Sequence, residues 1–335
     1  MISSPDILKD QWGRQMDYLR IAVTDRCNLR CFYCMPEEGI NYLPKKELLS
    51  YEEIIRLSEI FCQLGVTKIR ITGGEPFVRK DLVPFLNDLK QISGLENLHI
   101  TTNGVLTQPY IGELETIGIS GINLSLDSLD KENFFKITRR NEFDTVRQCL
   151  DSLIDSKIPI KINMVVMRGL NDHEIIPMAE LALDQDIQIR FIEEMPFNGR
   201  TESNQKLISH AGILQILEDH FGHLDLHLKN DSSDPASLYS TNELEGKLGI
   251  IPAFSRTFCG SCNRIRLTAT GTIKNCLYDE GVFDLKAFLR SGASDQEIGK
   301  QLTSLVHRKE KNGVIAESKR THHQSINESM SEIGG

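Results

Sequence analysis

The chain has 335 residues, enough for one α/β barrel of about 200–250 residues and a further region. Hydrophobic residues make up 40% of it and charged residues 25%, which excludes a disordered chain, and the net charge of −9 argues against broad attraction to nucleic acid or acidic membranes. No segment has the apolar stretch of a secretory signal or of a membrane span, which predicts a cytoplasmic protein. In that compartment, its eight cysteines are expected to be metal ligands rather than disulfides.

Six β-rich segments alternate with helical patterns as far as residue 192. The predicted strands are 18–24, 68–72, 97–101, 119–125, 158–166 and 187–192. Helical spacing of apolar residues predicts helices over 51–64, 81–92, 145–157 and 173–185, the first with a capping box formed by Ser50 and Glu53. The alternation predicts βαβ units with a mostly parallel sheet, an α/β fold that forms a partial (β/α)6 TIM-like barrel. Active residues are expected at the C-terminal ends of its strands.

The first cysteine motif follows directly after the first predicted strand. Cys27, Cys31 and Cys34 form a C-x3-C-x2-C arrangement, which supplies three thiolates and no fourth ligand. A structural zinc site takes four protein ligands, whereas a 4Fe-4S cluster held by three cysteines keeps one iron open for another ligand. A zinc knuckle that takes its fourth ligand from elsewhere stays an alternative, because soft thiolates suit both metals.

The motif and the residues around it resemble the radical S-adenosylmethionine superfamily. Tyr33 is the aromatic residue that this signature has before its last cysteine, and 72–76 (Thr-Gly-Gly-Glu-Pro) follows the second strand where the superfamily has its GGE motif. Glycines there would let a ligand approach the backbone closely, and the alternative is that they form a tight strand-to-helix turn. The resemblance implies that the open iron binds S-adenosylmethionine, with the cofactor-binding residues Tyr33, Gly74, Ser125 and Met195.

A second set of cysteines lies after a change in composition. The polar stretch 201–242 interrupts the βα pattern, which predicts a barrel domain over 1–225 and a C-terminal region over 226–335. In that region Cys259, Cys262 and Cys276 again supply three thiolates, and no cysteine or histidine close to Cys276 would complete a zinc ribbon. A second 4Fe-4S cluster with an open iron is therefore predicted.

Several positive charges lie inside otherwise apolar strands. Arg20, Arg70, Lys161 and Arg190 do so, and in 263–267 the alternation puts two more arginines on one face of a strand. A cation inside a barrel is costly without an anionic partner, so the set predicts a polyphosphate such as a nucleoside triphosphate. The alternative is that the cations pair with carboxylates at the strand ends, namely Glu75, Asp127 and Glu193.

Together these segments resemble the GTP 3′,8-cyclase family of molybdenum-cofactor biosynthesis, from about residue 17 to the terminal Gly-Gly. The resemblance implies two 4Fe-4S clusters, S-adenosylmethionine and GTP, with a 5′-deoxyadenosyl radical that starts the cyclisation of GTP. It implies the GTP-binding residues Arg20, Arg70, Thr101, Lys161, Arg190, Arg264, Ile265 and Arg266, and the catalytic residues Arg264, Arg266, Gly334 and Gly335. It further implies a low-potential electron donor, a functional link to cyclic pyranopterin monophosphate synthase, and a homodimer or monomer.

Three positions depart from the family pattern, and two other functions stay open. Arg139 and Cys149 stand where glycines are expected, and Thr270 where aspartate is expected. A radical S-adenosylmethionine enzyme that modifies a peptide would carry more cysteines in the C-terminal region. A non-catalytic metal-binding module would explain the cysteines but not the barrel pattern.

Overall fold

The computed structural model describes residues 7–35, 40, 42–195, 207–227, 234–320 and 330–333. Its centre is a run of six parallel strands that neighbour one another in chain order. These strands are β1 (Tyr18–Ala22), β2 (Lys68–Thr72), β3 (Asn97–Thr102), β4 (Gly121–Ser125), β5 (Ile160–Val166) and β6 (Gln188–Glu193). All six predicted strands are confirmed, with ends that differ by one or two residues.

Helices connect these strands. They are α1 (Tyr51–Gln63), α2 (Leu82–Lys90), α3 (Ile111–Ile117), α4 (Lys131–Thr138), α5 (Phe143–Ile154) and α6 (Ile175–Glu180). The capping box is confirmed, since the Ser50 hydroxyl accepts from the Glu53 N–H and the Glu53 carboxylate accepts from the Ser50 N–H. All four predicted helices are shorter than expected, most of all 173–185, which is reduced to Ile175–Glu180, and α3 and α4 were not predicted. Short 3-10 turns occur at Lys45–Glu47, Pro76–Val78, Gln108–Tyr110, Asp172–Glu174 and Cys259–Ser261.

The C-terminal part adds strands to both sides of the six. Its elements are α7 (His210–Phe221), β7 (Asp225–His227), β8 (Ser237–Ser240), β9 (Lys247–Ile251), β10 (Arg264–Leu267), β11 (Thr272–Lys274), β12 (Phe283–Asp284), α8 (Leu285–Arg290), α9 (Asp295–His307), α10 (Gly313–Ser318) and α11 (Met330–Ile333). Strand β9 pairs with β6 and β10 pairs with β1, both in parallel, whereas β7, β8, β11 and β12 pair antiparallel.

The described strands form one open sheet with β12 and β7 at its edges, as expected of a partial barrel. Alternation along each strand separates the two faces. On β1 and β2, Leu19, Ile21, Ile69 and Ile71 are fully buried in the apolar core. The residues between them face the inside of the barrel and carry the polar groups. No helix in the described part of the chain is long and apolar enough to span a membrane.

Arg139 has a backbone conformation that favours glycine, the residue expected at its position. It follows α4 and has φ of 55°, in the left-handed region. That conformation costs a residue with a Cβ about 1–2 kcal/mol, and the greater freedom of glycine in the unfolded chain offsets about half of it. We expect Arg139→Gly to raise the free energy of unfolding by about 1 kcal/mol in denaturant titrations. Arg140→Gly is the control, and a gain there as large as at Arg139 would contradict this explanation.

Candidate active site

The two cysteine triads lie at opposite ends of the barrel. Cys27, Cys31 and Cys34 follow the C-terminal end of β1. Cys259 and Cys262 precede β10, which runs parallel to β1, and Cys276 follows β11, which runs antiparallel to β10. The second triad therefore lies at the N-terminal ends of the strands. All six cysteines line one cavity, which extends between the two ends.

The loop of the first triad is packed tightly against the end of β2. The Gly74 N–H donates to the Thr24 carbonyl at 2.9 Å, and the Glu75 N–H donates to the Arg26 carbonyl at 2.8 Å. A Cβ on Gly74 would lie 2.3 Å from the Arg26 carbonyl oxygen. Gly73, with φ of 153°, would similarly meet the Thr24 carbonyl oxygen at 2.6 Å. Both glycines line the cavity, and the close approach of the cysteine loop is enough to require glycine at both positions.

Glu75 joins the ends of β2 and β3 beneath this loop. Its buried carboxylate accepts from the Thr102 hydroxyl at 2.8 Å, the Asn103 N–H at 2.7 Å and the Phe77 N–H at 3.1 Å. Burial raises the pKa of Glu75 to about 7, although these hydrogen bonds oppose the rise. The Glu75 carboxylate therefore fixes the turn after β2 against the end of β3, and the Glu75 N–H binds the loop of the first triad.

Tyr33, between two cysteines of the first triad, is anchored across the barrel. Its hydroxyl donates to Asp127 at 2.6 Å, and the other oxygen of Asp127 accepts from the Val165 N–H at 2.8 Å. Burial raises the pKa of Asp127 to about 6. Ser125, at the end of β4, and Met195 also line the cavity, and the Met195 sulfur accepts from the Tyr278 hydroxyl at 3.1 Å. Asp127 was not among the predicted site residues, because a single carboxylate after a strand carries no motif.

The second triad lies in a strongly cationic environment. Burial raises the pKa of Cys262, but the charges of Lys309 and Arg264 outweigh it and bring that pKa to about 6. In the first triad, by contrast, burial raises the pKa of Cys27 to about 11. Lys309 and Arg264 thus favour the thiolate form of Cys262, whereas burial raises the pKa of Cys276 although Lys309 opposes the rise.

Among the described residues, seven cationic side chains line the cavity between the triads: Arg20, Lys68, Arg70, Lys161, Arg190, Arg264 and Arg266. Strand register explains their grouping, since Arg20 stands beside both Arg70 and Arg266 in the sheet. Six of the seven are among the predicted GTP-binding residues, and Thr101 lines the cavity with them. Lys68 was missed because a lysine at the start of a strand is usually expected to be exposed to solvent.

Tyr18 is a further residue that sequence reasoning missed. It is buried, lines the cavity, and accepts a hydrogen bond from Arg70 Nε at 2.6 Å, while Lys68 Nζ lies 5.0 Å from its ring centre. Burial raises the pKa of Tyr18, but the charges of Arg70, Arg20 and Lys68 outweigh it and lower that pKa to about 7. An aromatic residue in a strand usually packs in the apolar core, so the sequence pattern did not indicate a functional role for Tyr18.

The carboxylates proposed as alternative partners of the cations are bound elsewhere. Glu75 and Asp127 are held as described above, and Glu193 accepts from the His210 N–H and from the N–H and hydroxyl of Ser255. Arg190 instead pairs with Asp234, at 2.7 Å. The alternative is therefore wrong for these three carboxylates, but carboxylate pairing holds for Arg190 through Asp234.

One predicted residue does not contribute its side chain to the cavity, and two others lie outside the described residues. Ile265 lies between Arg264 and Arg266 on β10, so alternation turns its side chain into the apolar core, where it is fully buried. Gly334 and Gly335 lie outside the described residues. The residues just before them do reach the site: Ile333 is 2% exposed and packs with Tyr278, near Met195 and Cys276.

The residues at both ends fit iron-sulfur clusters. The six cysteines of the triads are partly exposed to the cavity, whereas Cys62 and Cys149 are buried. Within the described ranges, no three His, Cys, Asp or Glu side chains converge on one metal ion, whereas the cysteines of a cluster bind separate irons. The side-chain oxygens of Asn123 and Asn163, which line the cavity, are buried and have no hydrogen-bond partner within the described structure. Such acceptors fit a ligand rich in hydroxyl or amino donors.

Comparison with known proteins agrees with this site. Residues 21–182 match the model of the Radical SAM superfamily, and residues 187–315 match the model described as Molybdenum Cofactor Synthesis C. The fold is similar to the crystal structure of Streptococcus suis SuiB bound to S-adenosylmethionine, with a TM-score of 0.61 and 16% identity over 92% of this chain and 70% of that one. Fold and first triad together define a radical S-adenosylmethionine protein.

Two bacterial relatives cover nearly the whole chain. The GTP 3′,8-cyclase of Thermodesulfovibrio yellowstonii is 43% identical over 90% of this chain and 94% of the relative. That of Desulforamulus reducens is 41% identical over 97% of this chain and 99% of the relative. The chain belongs to the GTP 3′,8-cyclase family. It spans about half the length of the relatives named molybdenum cofactor biosynthesis protein 1, such as that of Dictyostelium discoideum.

Proposed function

We propose that the chain converts GTP to 3′,8-cyclo-7,8-dihydroguanosine 5′-triphosphate by radical chemistry, the first step of molybdenum-cofactor biosynthesis. The observation that carries the proposal is the single cavity with a cysteine triad at each end and seven cations between them. Family membership supports the same activity. When bound, a cluster at the first triad and S-adenosylmethionine supply the radical that takes hydrogen from C3′ of the nucleotide.

The chain's own residues bind and orient the two ligands. At the first end, Gly74, Ser125 and Met195 would hold S-adenosylmethionine, while Tyr33 and Asp127 fix the cysteine loop. The cations on β1, β2, β5 and β6 would bind the triphosphate. Arg264 and Arg266 stand beside the second triad, where they would hold the guanine end of the nucleotide.

This placement would favour ring closure. Bond formation between C3′ and C8 requires two atoms of one substrate to be held close together, and such positioning is worth several powers of ten in rate. A nucleotide held at both its phosphate and base ends cannot turn away from that geometry.

The partners follow from the same chemistry. We propose a low-potential electron donor for the first cluster, and cyclic pyranopterin monophosphate synthase as the enzyme that takes the product. We further propose that the chain acts as a homodimer or a monomer.

Anaerobic reconstitution tests the activity. The full chain, loaded with iron and sulfide, would be mixed with S-adenosylmethionine, dithionite and GTP, and the products identified by mass spectrometry. We expect 5′-deoxyadenosine and a cyclised nucleotide, the latter absent when GTP is left out. If 5′-deoxyadenosine formed without any product from GTP, the chain would still be a radical enzyme, but GTP would not be its substrate.

Nucleotide binding is expected to take up protons at pH 8. The pKa of Tyr18 lies at about 7, and burial together with Arg190 lowers the pKa of Lys161 to about 8. A bound triphosphate brings negative charge beside both groups and so raises both pKa values, which draws in protons. Calorimetry of GTP binding in buffers of different ionisation enthalpy would measure the uptake.

Tyr18→Phe isolates the tyrosine in this measurement. Uptake at pH 8 should fall in the variant but not vanish, because Lys161 still contributes. At pH 6 both proteins should behave alike, since Tyr18 is then protonated with or without nucleotide. Equal uptake by the two proteins at pH 8 would show that Tyr18 does not titrate on binding.

A further inference from the structure

Lys309 is buried behind the second cysteine triad. It follows the end of α9 and is 3% exposed. Its amine donates to the Arg264 carbonyl at 2.9 Å and also to the Asn275 carbonyl. Arg264 comes two residues after Cys262, and Asn275 comes immediately before Cys276. One side chain therefore links the two segments that carry the cysteines.

Contacts from distant parts of the chain hold this segment in place. Trp12 Nε1 donates to the Lys309 carbonyl at 3.0 Å, and Asn275 Nδ2 donates to the Leu305 carbonyl at 2.8 Å. Arg14 donates to the Cys259 carbonyl at 2.7 Å and to the Glu310 carbonyl at 2.7 Å. The position of the amine is thus fixed by the fold rather than by local sequence.

A charge in such a place needs compensation. Burying an ammonium group is costly unless an opposite charge lies close by, and the two carbonyls that Lys309 contacts are neutral. Other charged groups around the triad are Lys274, Asp279, Arg264 and Arg266. Asp279 uses its oxygens to accept from the N–H groups of Cys276 and Gly281. Asp279 supplies one negative charge that interacts with Lys274 and Lys309, and an iron-sulfur cluster with its three thiolates would add further negative charge beside this cationic set.

We infer that Lys309 is a positioning residue for the second cluster, whose positive charge stabilises the cluster and raises its reduction potential. This inference rests on the proposed function, which puts a 4Fe-4S cluster at this triad. Lys309 does not line the cavity, in contrast to Arg264 and Arg266, so it would act through the cysteines rather than through the substrate. Reduction adds one negative charge to a cluster, and a buried cation nearby favours the reduced form.

The test uses the full chain with Cys27, Cys31 and Cys34 replaced by alanine, so that the second cluster gives the only iron-sulfur signal. In this parent, Lys309→Met removes the charge and Lys309→Arg keeps it. Lys286→Met is the control, because Lys286 also donates to a backbone carbonyl, that of Glu47, but at an exposed site. For each reconstituted protein we would measure iron and sulfide per chain, thermal unfolding, and the midpoint potential by redox titration followed by electron paramagnetic resonance.

We expect Lys309→Met to shift the midpoint to a more negative potential, while Lys309→Arg and Lys286→Met stay close to the parent. Loss of iron in Lys309→Met with retention in Lys309→Arg would equally show that the charge is required. An unchanged potential in Lys309→Met would overturn the inference, and so would equal loss of iron in both Lys309 variants, which would indicate packing alone. If the parent itself bound no four-iron cluster, that result would contradict the proposed function, independently of the Lys309 variants.

Discussion

Replacing Cys276 with alanine is expected to abolish cyclised nucleotide while 5′-deoxyadenosine still forms. Cys276 belongs to the second triad, at the opposite end of the cavity from the cysteines that would support cleavage of S-adenosylmethionine. Its loss leaves a cluster with two thiolates at the end where the base would be held. Because a misplacement of about 1 Å can cost about 100-fold in rate, we expect cyclisation to fall by at least about 100-fold.

Both products can be measured by mass spectrometry in the same reaction mixture. Cys149→Ala is the matched control, since Cys149 is buried and does not line the cavity. It should keep both products near their normal levels, once any loss of stability is allowed for. Cyclisation at the normal rate in Cys276→Ala would show that the second triad is not part of the active site. Loss of both products would instead indicate that the two ends depend on each other for assembly.

Arg70→Met is expected to weaken GTP binding by roughly 30-fold or more. Arg70 is 4% exposed, faces the cavity, and contacts Tyr18 and the Thr101 hydroxyl. Removing one partner of a buried, hydrogen-bonded charge pair costs about 2–5 kcal/mol, and each 1.4 kcal/mol is a factor of ten. Methionine keeps much of the volume, so the expected loss reflects charge rather than packing.

Equilibrium binding of GTP to the reconstituted protein measures this effect directly. Arg56→Met is the control, because Arg56 pairs with Asp295 on the surface. S-Adenosylmethionine should bind both variants as it binds the unchanged chain. If Arg70→Met and Arg56→Met bound GTP equally well, the cations of the barrel interior would not be the triphosphate site.

Local sequence patterns were sufficient for several features. Alternation within 18–24 put Arg20 on the opposite face from Leu19 and Ile21, and the strand was found where it was expected. The cysteine spacings identified both triads, because ligands of one cluster that are close in sequence must be close in space. Ser50 and Glu53 likewise formed the predicted cap, which depends on four consecutive residues.

Other features depended on contacts between distant residues. Asp234 is far from Arg190 in sequence, and no motif links Lys309 to Cys262 or Glu75 to Asn103. Gly74 was interpreted from the sequence as a place for a ligand, but the backbone that approaches it belongs to the cysteine loop. The identity of one side chain does not indicate its contact partner when that partner is far away in the sequence.

The sequence by itself thus determined the barrel class, the two three-cysteine sites and the cations on alternate strand positions, since each is set by residues a few positions apart. Only the tertiary structure decided that the triads face each other across one cavity. That arrangement follows from β10 pairing in parallel with β1 and β11 turning back against β10. Burial of apolar faces selects such pairings over the whole chain, and it leaves no local signature in the sequence.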